Sequence, residues 1–97
     1  PYIGVALQDL TKDLAEYFGL KEPKGAIIAD VTPGGPADKA GLTRGDVILK
    51  INDNTIKNSN DVVEIVGNAK INEKLVIVVL RNGKTQFITV VVGKQTP

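Results

Sequence analysis

The sequence contains no cysteine, no histidine, no methionine and no tryptophan. Without cysteine the chain can form neither a disulfide nor a thiolate metal site. Without histidine, and with Ser59 as its single serine, it cannot build a Ser-His-Asp or Cys-His triad from its own residues. A zinc site would have to use carboxylates alone, and no pair of carboxylates stands out as an acid and base. We therefore expect no catalytic activity, no metal and no cofactor.

Aromatic residues are scarce, and neither sign of charge dominates. Two tyrosines and two phenylalanines in 97 residues leave a core that must be built from valine, isoleucine and leucine. Twelve basic and eleven acidic residues give a net charge of +1. This is not the excess of positive charge expected of a domain that binds nucleic acid or a membrane surface. No apolar run approaches the roughly 18 residues of a spanning helix, and no signal peptide is recognisable. We expect one domain, cut from a larger protein or left by processing, with neither nucleic-acid binding nor membrane insertion.

The hydrophobic pattern predicts short strands alternating with short helices. Period-two alternation and compact apolar runs indicate strands, while capping residues and three-to-four spacing indicate helices. The predicted elements are a strand over 3–7, a helix capped by Thr11, a strand over Ala26–Val31, a helix over Pro36–Ala40 ending at Gly41, a strand over Val47–Ile51, a brief strand at Thr55–Ile56, a helix starting at Asn58 or Ser59, and strands over Leu75–Leu80 and Phe87–Val92. This order predicts an α+β fold, with a small curled sheet or partial barrel of five to six strands capped by two to three helices.

The third predicted helix carries two distinct apolar faces. Asn58 is a candidate N-cap, and Asp61 is its expected reciprocal partner in a capping-box arrangement. One face holds Val62, Ile65 and Ala69, and the adjacent face holds Ser59, Val63 and Val66. Farther along the chain, the dipeptide Asn82-Gly83 between two apolar runs predicts a tight hairpin.

Several blocks of the sequence stand in an order that is typical of one family of domains. They are Tyr2-Ile3-Gly4-Val5, then Leu10-Thr11 with Leu14-Ala15 and Phe18-Gly19-Leu20, then Gly25-Ala26 through Val31, and Pro33-Gly34-x-Pro36-Ala37-x-x-Ala40-Gly41-Leu42-x-x-Gly45-Asp46-Val47-Ile48-Leu49-x-Ile51-Asn52. With the hairpin Leu80-Arg81-Asn82-Gly83-Lys84, these blocks resemble the PDZ domains of the HtrA (Deg) family of bacterial serine proteases and chaperones. The resemblance covers essentially the whole chain, and its long central block makes it specific.

Two positions depart from the pattern of that family. Asp53 stands where the family often has the glycine of an Asn-Gly turn, so we expect a left-handed and somewhat strained residue there. The family also often carries a basic residue just upstream of the first block. No such residue precedes Tyr2 in this sequence.

The resemblance implies a site for the C-terminal end of a peptide. In such a site, backbone N–H groups of the first block bind the carboxylate, and the strand that follows pairs with the peptide backbone. The implied peptide-binding residues are Tyr2, Ile3, Gly4, Val5, Ala6, Leu7, Ser59, Val63 and Val66. Of these, Ile3, Val5, Leu7 and Val66 would line a pocket for the last side chain, while Ser59 would contact the third residue from the end.

The implied role is regulatory. As a single PDZ domain over residues 1–97, the chain would capture C-termini or extended apolar segments of unfolded or misfolded proteins for a periplasmic or cell-envelope serine protease and chaperone. A scaffold that contacts neighbouring protomers or domains is the main alternative. A PDZ domain of another envelope protease, tail-specific or intramembrane, is a second one. An oligonucleotide-binding barrel is a third, against which the few aromatics and the near-neutral charge argue.

Overall fold

The computed structural model describes residues 1–94, in which six antiparallel strands and three helices follow one another. The elements are β1 (Val5–Asp9), α1 (Lys12–Tyr17), β2 (Ala26–Val31), α2 (Pro36–Ala40), β3 (Val47–Ile51), β4 (Asn54–Thr55), α3 (Ser59–Asn68), β5 (Lys74–Arg81) and β6 (Lys84–Val91). The predicted α+β class is confirmed, and β2, α2 and β3 have their predicted bounds. The predicted strand over 3–7 is instead observed two residues later, and the brief strand is observed one residue earlier.

The strands form a single sheet in the order β1-β2-β3-β5-β6, with the short β4 paired to β3. β1 lies at one edge and pairs with β2 alone among the described strands, so one side of its backbone is open. Helix α3 packs against β1 and β2. The sheet edge and the helix therefore face each other across a space that the chain itself leaves unfilled.

The core is aliphatic, as the scarcity of aromatic residues predicts. Between the sheet, α2 and α3 it contains the largest fully buried side chains, which include Ile28, Leu42, Ile48, Ile51, Ile77 and Val90. A second, smaller cluster lies under α1, where Leu14 and Phe18 pack over Leu10, Ile27 and Val47. Because apolar side chains are buried on both faces of the sheet, the strands next to the open edge of β1 are held in place.

The helix ends follow their capping residues. Thr11 Oγ1 accepts a hydrogen bond from the Leu14 N–H at 3.2 Å, as predicted for the N-cap of α1. Asn58 caps α3 by accepting from the Asp61 N–H at 3.1 Å. The reciprocal bond is different from the prediction, because the Asp61 carboxylate accepts from the N–H of Lys57 at 2.8 Å. The carboxylate reaches one residue beyond the cap, so it satisfies the backbone that leads into the helix.

Two of the Asn-containing turns, those after β3 and after β5, behave differently from each other. Asn82 and Gly83 have φ values of 52° and 76°, which confirms the predicted tight hairpin between β5 and β6. In the turn after β3 the left-handed residue is Asn52, with φ of 53°, and the expectation of left-handed strain at Asp53 is wrong. Asn52 is held there by β5, since its N–H donates to the Val76 carbonyl at 2.7 Å and its Oδ1 accepts from the Val76 N–H at 2.9 Å.

Candidate functional site

An open groove of about 370 Å³ lies between the free edge of β1 and helix α3. Its lining is mostly aliphatic, so it offers apolar contact beside a strand edge that can still form hydrogen bonds. The lining residues are Pro1, Tyr2, Ile3, Gly4, Val5, Leu7, Val62, Val63, Val66 and Gly67.

One end of the groove is formed by the loop over residues 2–4, which leads into β1. Its three carbonyl oxygens point into the protein. Those of Tyr2, Ile3 and Gly4 accept hydrogen bonds from the N–H groups of Gly93 (2.8 Å), Ala37 (2.8 Å) and Thr32 (2.9 Å). By contrast, the N–H groups of Ile3 and Gly4 donate to no partner within residues 1–94. A loop that uses its carbonyls internally and leaves its N–H groups unused is suited to hold an anion.

Gly4 is required by the conformation of this loop. Its φ is 79°, a left-handed value that residues with a side chain adopt only at a cost. A Cβ atom at this position would also lie 3.0 Å from the hydroxyl oxygen of Tyr2 and 3.2 Å from its ring carbon Cζ. The tyrosine ring therefore packs over the loop, which only glycine allows to turn so closely beneath it.

Helix α3 forms the opposite wall of the groove. Val63 is 62% exposed and Val66 is 9% exposed, and both border the groove, while Val62 is only 1% exposed. Val62 and Val63 thus lie on the two different faces of the helix that the sequence predicts, one in the core and one beside the groove. Val62 nevertheless also lines the groove. Gly67 extends the wall, and because it carries no side chain it leaves the space beside Val66 open.

Ser59 has a partner that the sequence analysis missed. Its N–H and its Oγ both donate to Asp9 Oδ1, at 2.7 Å and 2.5 Å, and so join the start of α3 to the end of β1. The side-chain bond from Ser59, followed by the backbone bond, lowers the pKa of Asp9 below its usual value. Ser59 is not among the residues that line the groove, and its contact with the third residue from the end of a peptide stays a prediction.

The other predicted site residues divide into two groups. Tyr2, Ile3, Gly4, Val5 and Leu7 line the groove together with Val63 and Val66. The side chain of Ala6 is exposed and does not line the groove, because alternate residues of a strand point to opposite faces. The prediction omitted Pro1, Val62 and Gly67. Gly67 could have been found from its spacing, since it lies four residues after Val63 on the same helix.

Neither a metal nor a membrane span is indicated by the part of the chain that the structure describes. Over residues 1–94, no three side chains of the metal-ligating types are grouped so that they could hold an ion. Over the same range, no helix has the length and apolar character needed to cross a bilayer.

Comparison with known sequences gives consistent matches. Residues 1–92 match the family described as PDZ domain. A probable periplasmic serine endoprotease DegP-like from Pseudomonas savastanoi pv. phaseolicola is 48% identical over 92 residues, which are 95% of this chain and 19% of that protein. Its counterpart from Hahella chejuensis is 42% identical over 93 residues, or 96% of this chain and 20% of that protein. The chain thus spans about a fifth of the length of the curated relatives it matches.

Comparison with solved structures gives the same fold. The HtrA-type protease AlgWS227A with decapeptide superposes with a TM-score of 0.93 at 38% identity, over 99% of this chain and 29% of that chain. The HtrA-type protease AlgW with tripeptide gives a TM-score of 0.87 at 38% identity, over 99% and 32% of the two chains. The HtrA3 PDZ domain bound to a phage-derived ligand (FGRWV) has a TM-score of 0.79 at 22% identity, over 93% and 82%, which is a likeness of fold alone.

Proposed function

The chain belongs to the PDZ domain family, and we propose that it is the peptide-binding regulatory module of a periplasmic HtrA-type serine protease. One observation carries the proposal. The unused N–H groups of Ile3 and Gly4 lie at one end of an apolar groove, and the free edge of β1 runs along that groove. A peptide C-terminus presents a carboxylate, an extended backbone and an apolar side chain in the same arrangement.

Each part of the peptide end meets a different part of the groove. The carboxylate accepts hydrogen bonds from the loop N–H groups, which need no cationic side chain to hold it. The peptide backbone adds to the sheet as a strand beside β1. The last side chain enters the space lined by Ile3, Val5, Leu7 and Val66, where burial of apolar area contributes about 25 cal/mol per Å².

The ligands we propose are C-termini, or extended apolar segments, of unfolded or misfolded proteins in the periplasm. The relatives that support this are named periplasmic serine endoproteases, and two structures of the similar HtrA-type protease AlgW were solved with peptides of ten and three residues. Because those relatives are about five times longer, we also propose that residues 1–97 form a single PDZ domain within a larger protease. Contacts with neighbouring protomers would be a further role of the same domain.

We propose that the domain itself does not catalyse proteolysis. The chain has no histidine and no cysteine, and the hydroxyl of its single serine donates to Asp9, a carboxylate whose lowered pKa makes it a weak base for activating a hydroxyl. Rigorously purified domain should leave unfolded casein intact over many hours. Cleavage that copurifies with the domain through successive columns would show that it holds a nucleophile that these residues do not provide.

The proposal is tested by measuring peptide affinity with a free and with an amidated C-terminus. A library of C-terminal peptides first identifies a binder, and calorimetry then compares its two forms. Amidation removes the charge that the loop N–H groups bind, so we expect a loss of about 1.5–3 kcal/mol. Equal affinities would mean that internal segments are the ligands. No affinity for any free C-terminus would instead favour the scaffold function.

A further inference from the structure

The end of β1 places a carboxylate beyond the apolar lining of the groove, which along this strand ends at Leu7. Val5 and Leu7 turn toward the core and line the groove, and Asp9 is the next residue of the same alternating series. Its bonds to Ser59 confirm that Asp9 points to the α3 side of the strand. At about 3.3 Å per residue, Asp9 lies some 13 Å along the strand from Val5.

Half of this carboxylate has no partner in the protein. Both bonds from Ser59 end on Oδ1, and within residues 1–94 no hydrogen bond reaches Oδ2. Among the described residues, no lysine or arginine nitrogen forms an ion pair with the Asp9 carboxylate within 4 Å, since the two ion pairs there involve Glu22 and Asp46. The Ser59 N–H belongs to the first turn of α3, where the helix dipole also favours an anion. Asp9 is therefore held ionised, in a fixed orientation, with one oxygen atom available.

No charged side chain is among the residues that line the apolar part of this groove. Lys57, Asp61 and Glu64 border a separate depression beside Asn54, on another side of α3. Two of them are also engaged there, because Asp61 accepts from the Lys57 N–H and Glu64 accepts from the Asn60 amide. The charge that an extended peptide meets as it leaves the apolar part of the groove is consequently that of Asp9.

We propose that Asp9 makes this domain select ligands with a basic side chain at the fifth residue from the C-terminus. The inference rests on the proposed function, in which the carboxylate binds at Ile3 and Gly4 and the peptide runs antiparallel to β1. The last residue then faces Val5, the third from the end faces Leu7, and the fifth from the end faces Asp9. The second and fourth residues from the end point away from this face, so a basic side chain at either position would gain little affinity from Asp9.

Ser59 restricts the alternatives at this end of the groove. Its hydroxyl proton is already donated to Asp9, so it is not available as a donor to an acceptor on the ligand. What remains exposed is acceptor capacity, on Asp9 Oδ2 and on the Ser59 oxygen. Lysine and arginine side chains supply donors and positive charge together, whereas glutamate at the same position supplies neither and is repelled.

The experiment uses acetylated heptapeptides that end in valine with a free carboxylate and have alanine at all other positions but one. Lysine, alanine or glutamate is placed fifth from the end, and a further peptide carries lysine fourth from the end. Affinities are measured by NMR titration at low ionic strength. We expect lysine in the fifth position to bind about threefold to fivefold more tightly than alanine, as for other exposed ion pairs, and glutamate to bind more weakly. Lysine in the fourth position should change the affinity by less than twofold.

The variants are compared by the ratio of alanine-peptide to lysine-peptide dissociation constants. In Asp9→Asn the side-chain oxygen can still accept from Ser59 but the charge is gone, so the ratio should fall to about one. Ser59→Ala keeps the charge and should keep a ratio clearly above one. Asp53→Asn, in the turn between β3 and β4, makes the same change of charge away from the groove and should leave the ratio unchanged.

The outcomes separate this inference from the proposed function. If the alanine peptide binds and loses affinity on amidation, while lysine gives no advantage, the selection by Asp9 is wrong and the groove assignment stands. A lysine advantage that persists in Asp9→Asn, or that is equal in the fourth position, also overturns the inference. If no peptide with a free C-terminus binds, both proposals are overturned.

Discussion

Arg81 binds Asp46 through two nitrogen atoms, with Nε 2.8 Å from Oδ1 and Nη2 2.6 Å from Oδ2. Asp46 is only 1% exposed, and its carboxylate also accepts from the N–H and hydroxyl of Thr43. Arg81 Nη2 donates in addition to the Gly41 carbonyl at 2.8 Å. The end of β5 is thereby tied to the loop between α2 and β3, and the buried charge is fully paired.

This ion pair predicts a loss of stability in acid. Burial by itself raises the pKa of Asp46, but the bonds from Arg81 and Thr43 together outweigh it and lower the pKa below its usual value. A carboxyl group whose pKa is lower in the folded state contributes stability above its unfolded pKa and loses it as the pH falls through the folded pKa. We therefore expect the free energy of unfolding, measured in urea, to decrease from about pH 5 toward about pH 2.

Two variants identify the group responsible. Asp46→Asn should cost about 3 kcal/mol at neutral pH, because it breaks a buried ion pair, and should flatten the acid dependence. Glu22→Gln removes the carboxylate of an exposed pair with Lys24, at 2.9 Å, and should retain the full dependence. An unchanged slope in Asp46→Asn would assign the acid sensitivity to other carboxylates.

Two adjacent valines of α3 should respond in opposite ways to the same substitution. Val63→Glu places a charge on a side chain that is 62% exposed, so the domain should stay folded but bind apolar C-termini weakly. Val62→Glu buries an unpaired charge in the core at a position 1% exposed, a cost comparable to a total stability of about 5–10 kcal/mol. Thermal melting and peptide titration of both variants check this. A folded Val62→Glu beside an unfolded Val63→Glu would mean that the helix faces are reversed.

Gly4→Ala should abolish binding of free C-termini. Besides the cost of a left-handed alanine, about 1 kcal/mol, the new methyl group would displace the Tyr2 ring or the loop N–H groups. Gly34→Ala is the matched control, since its φ of 76° is almost the same and nothing lies within 4 Å of an added Cβ. Both variants should lose similar stability, and only Gly4→Ala should lose affinity in calorimetry. Equal affinities would show that the loop does not hold the carboxylate.

Gly67→Ala should stabilise the protein. Gly67 lies within α3, has no positive φ, and leaves open space where a methyl group would go. Alanine should therefore contribute about 0.5 kcal/mol through its helix propensity, raising the melting temperature by about 3 °C. The same substitution at Gly83, whose φ is 76°, should lower the melting temperature. A lower melting temperature for Gly67→Ala would show that the groove wall is more tightly packed than the open space suggests.

Much of the fold follows from local signals in the sequence. Pro36 and Gly41 bound α2 because their own backbone preferences suit the first position and the C-cap of a helix. Asn82-Gly83 specifies a hairpin in the same local way. The ends of helices and strands that depend on contacts with distant segments were predicted less well. The predicted strand over 3–7 is observed over residues 5–9, because the carbonyls of residues 2–4 bond to three other segments and keep that stretch out of the sheet.

The candidate site likewise combines features that local sequence signals predict with contacts that they do not predict. The sequence predicts which residue types meet at the groove, since Gly4 and the alternating Ile3, Val5 and Leu7 form a recognisable block and the spacing of Val63 and Val66 marks a helix face. Its lack of histidine and cysteine also excludes a catalytic triad built from these residues. Two contacts appear only in the folded chain: Ser59 bonds to Asp9, fifty residues away, and Val76 holds Asn52 as the left-handed residue after β3. Such contacts depend on where distant backbone segments come together, which local preference and periodicity do not encode.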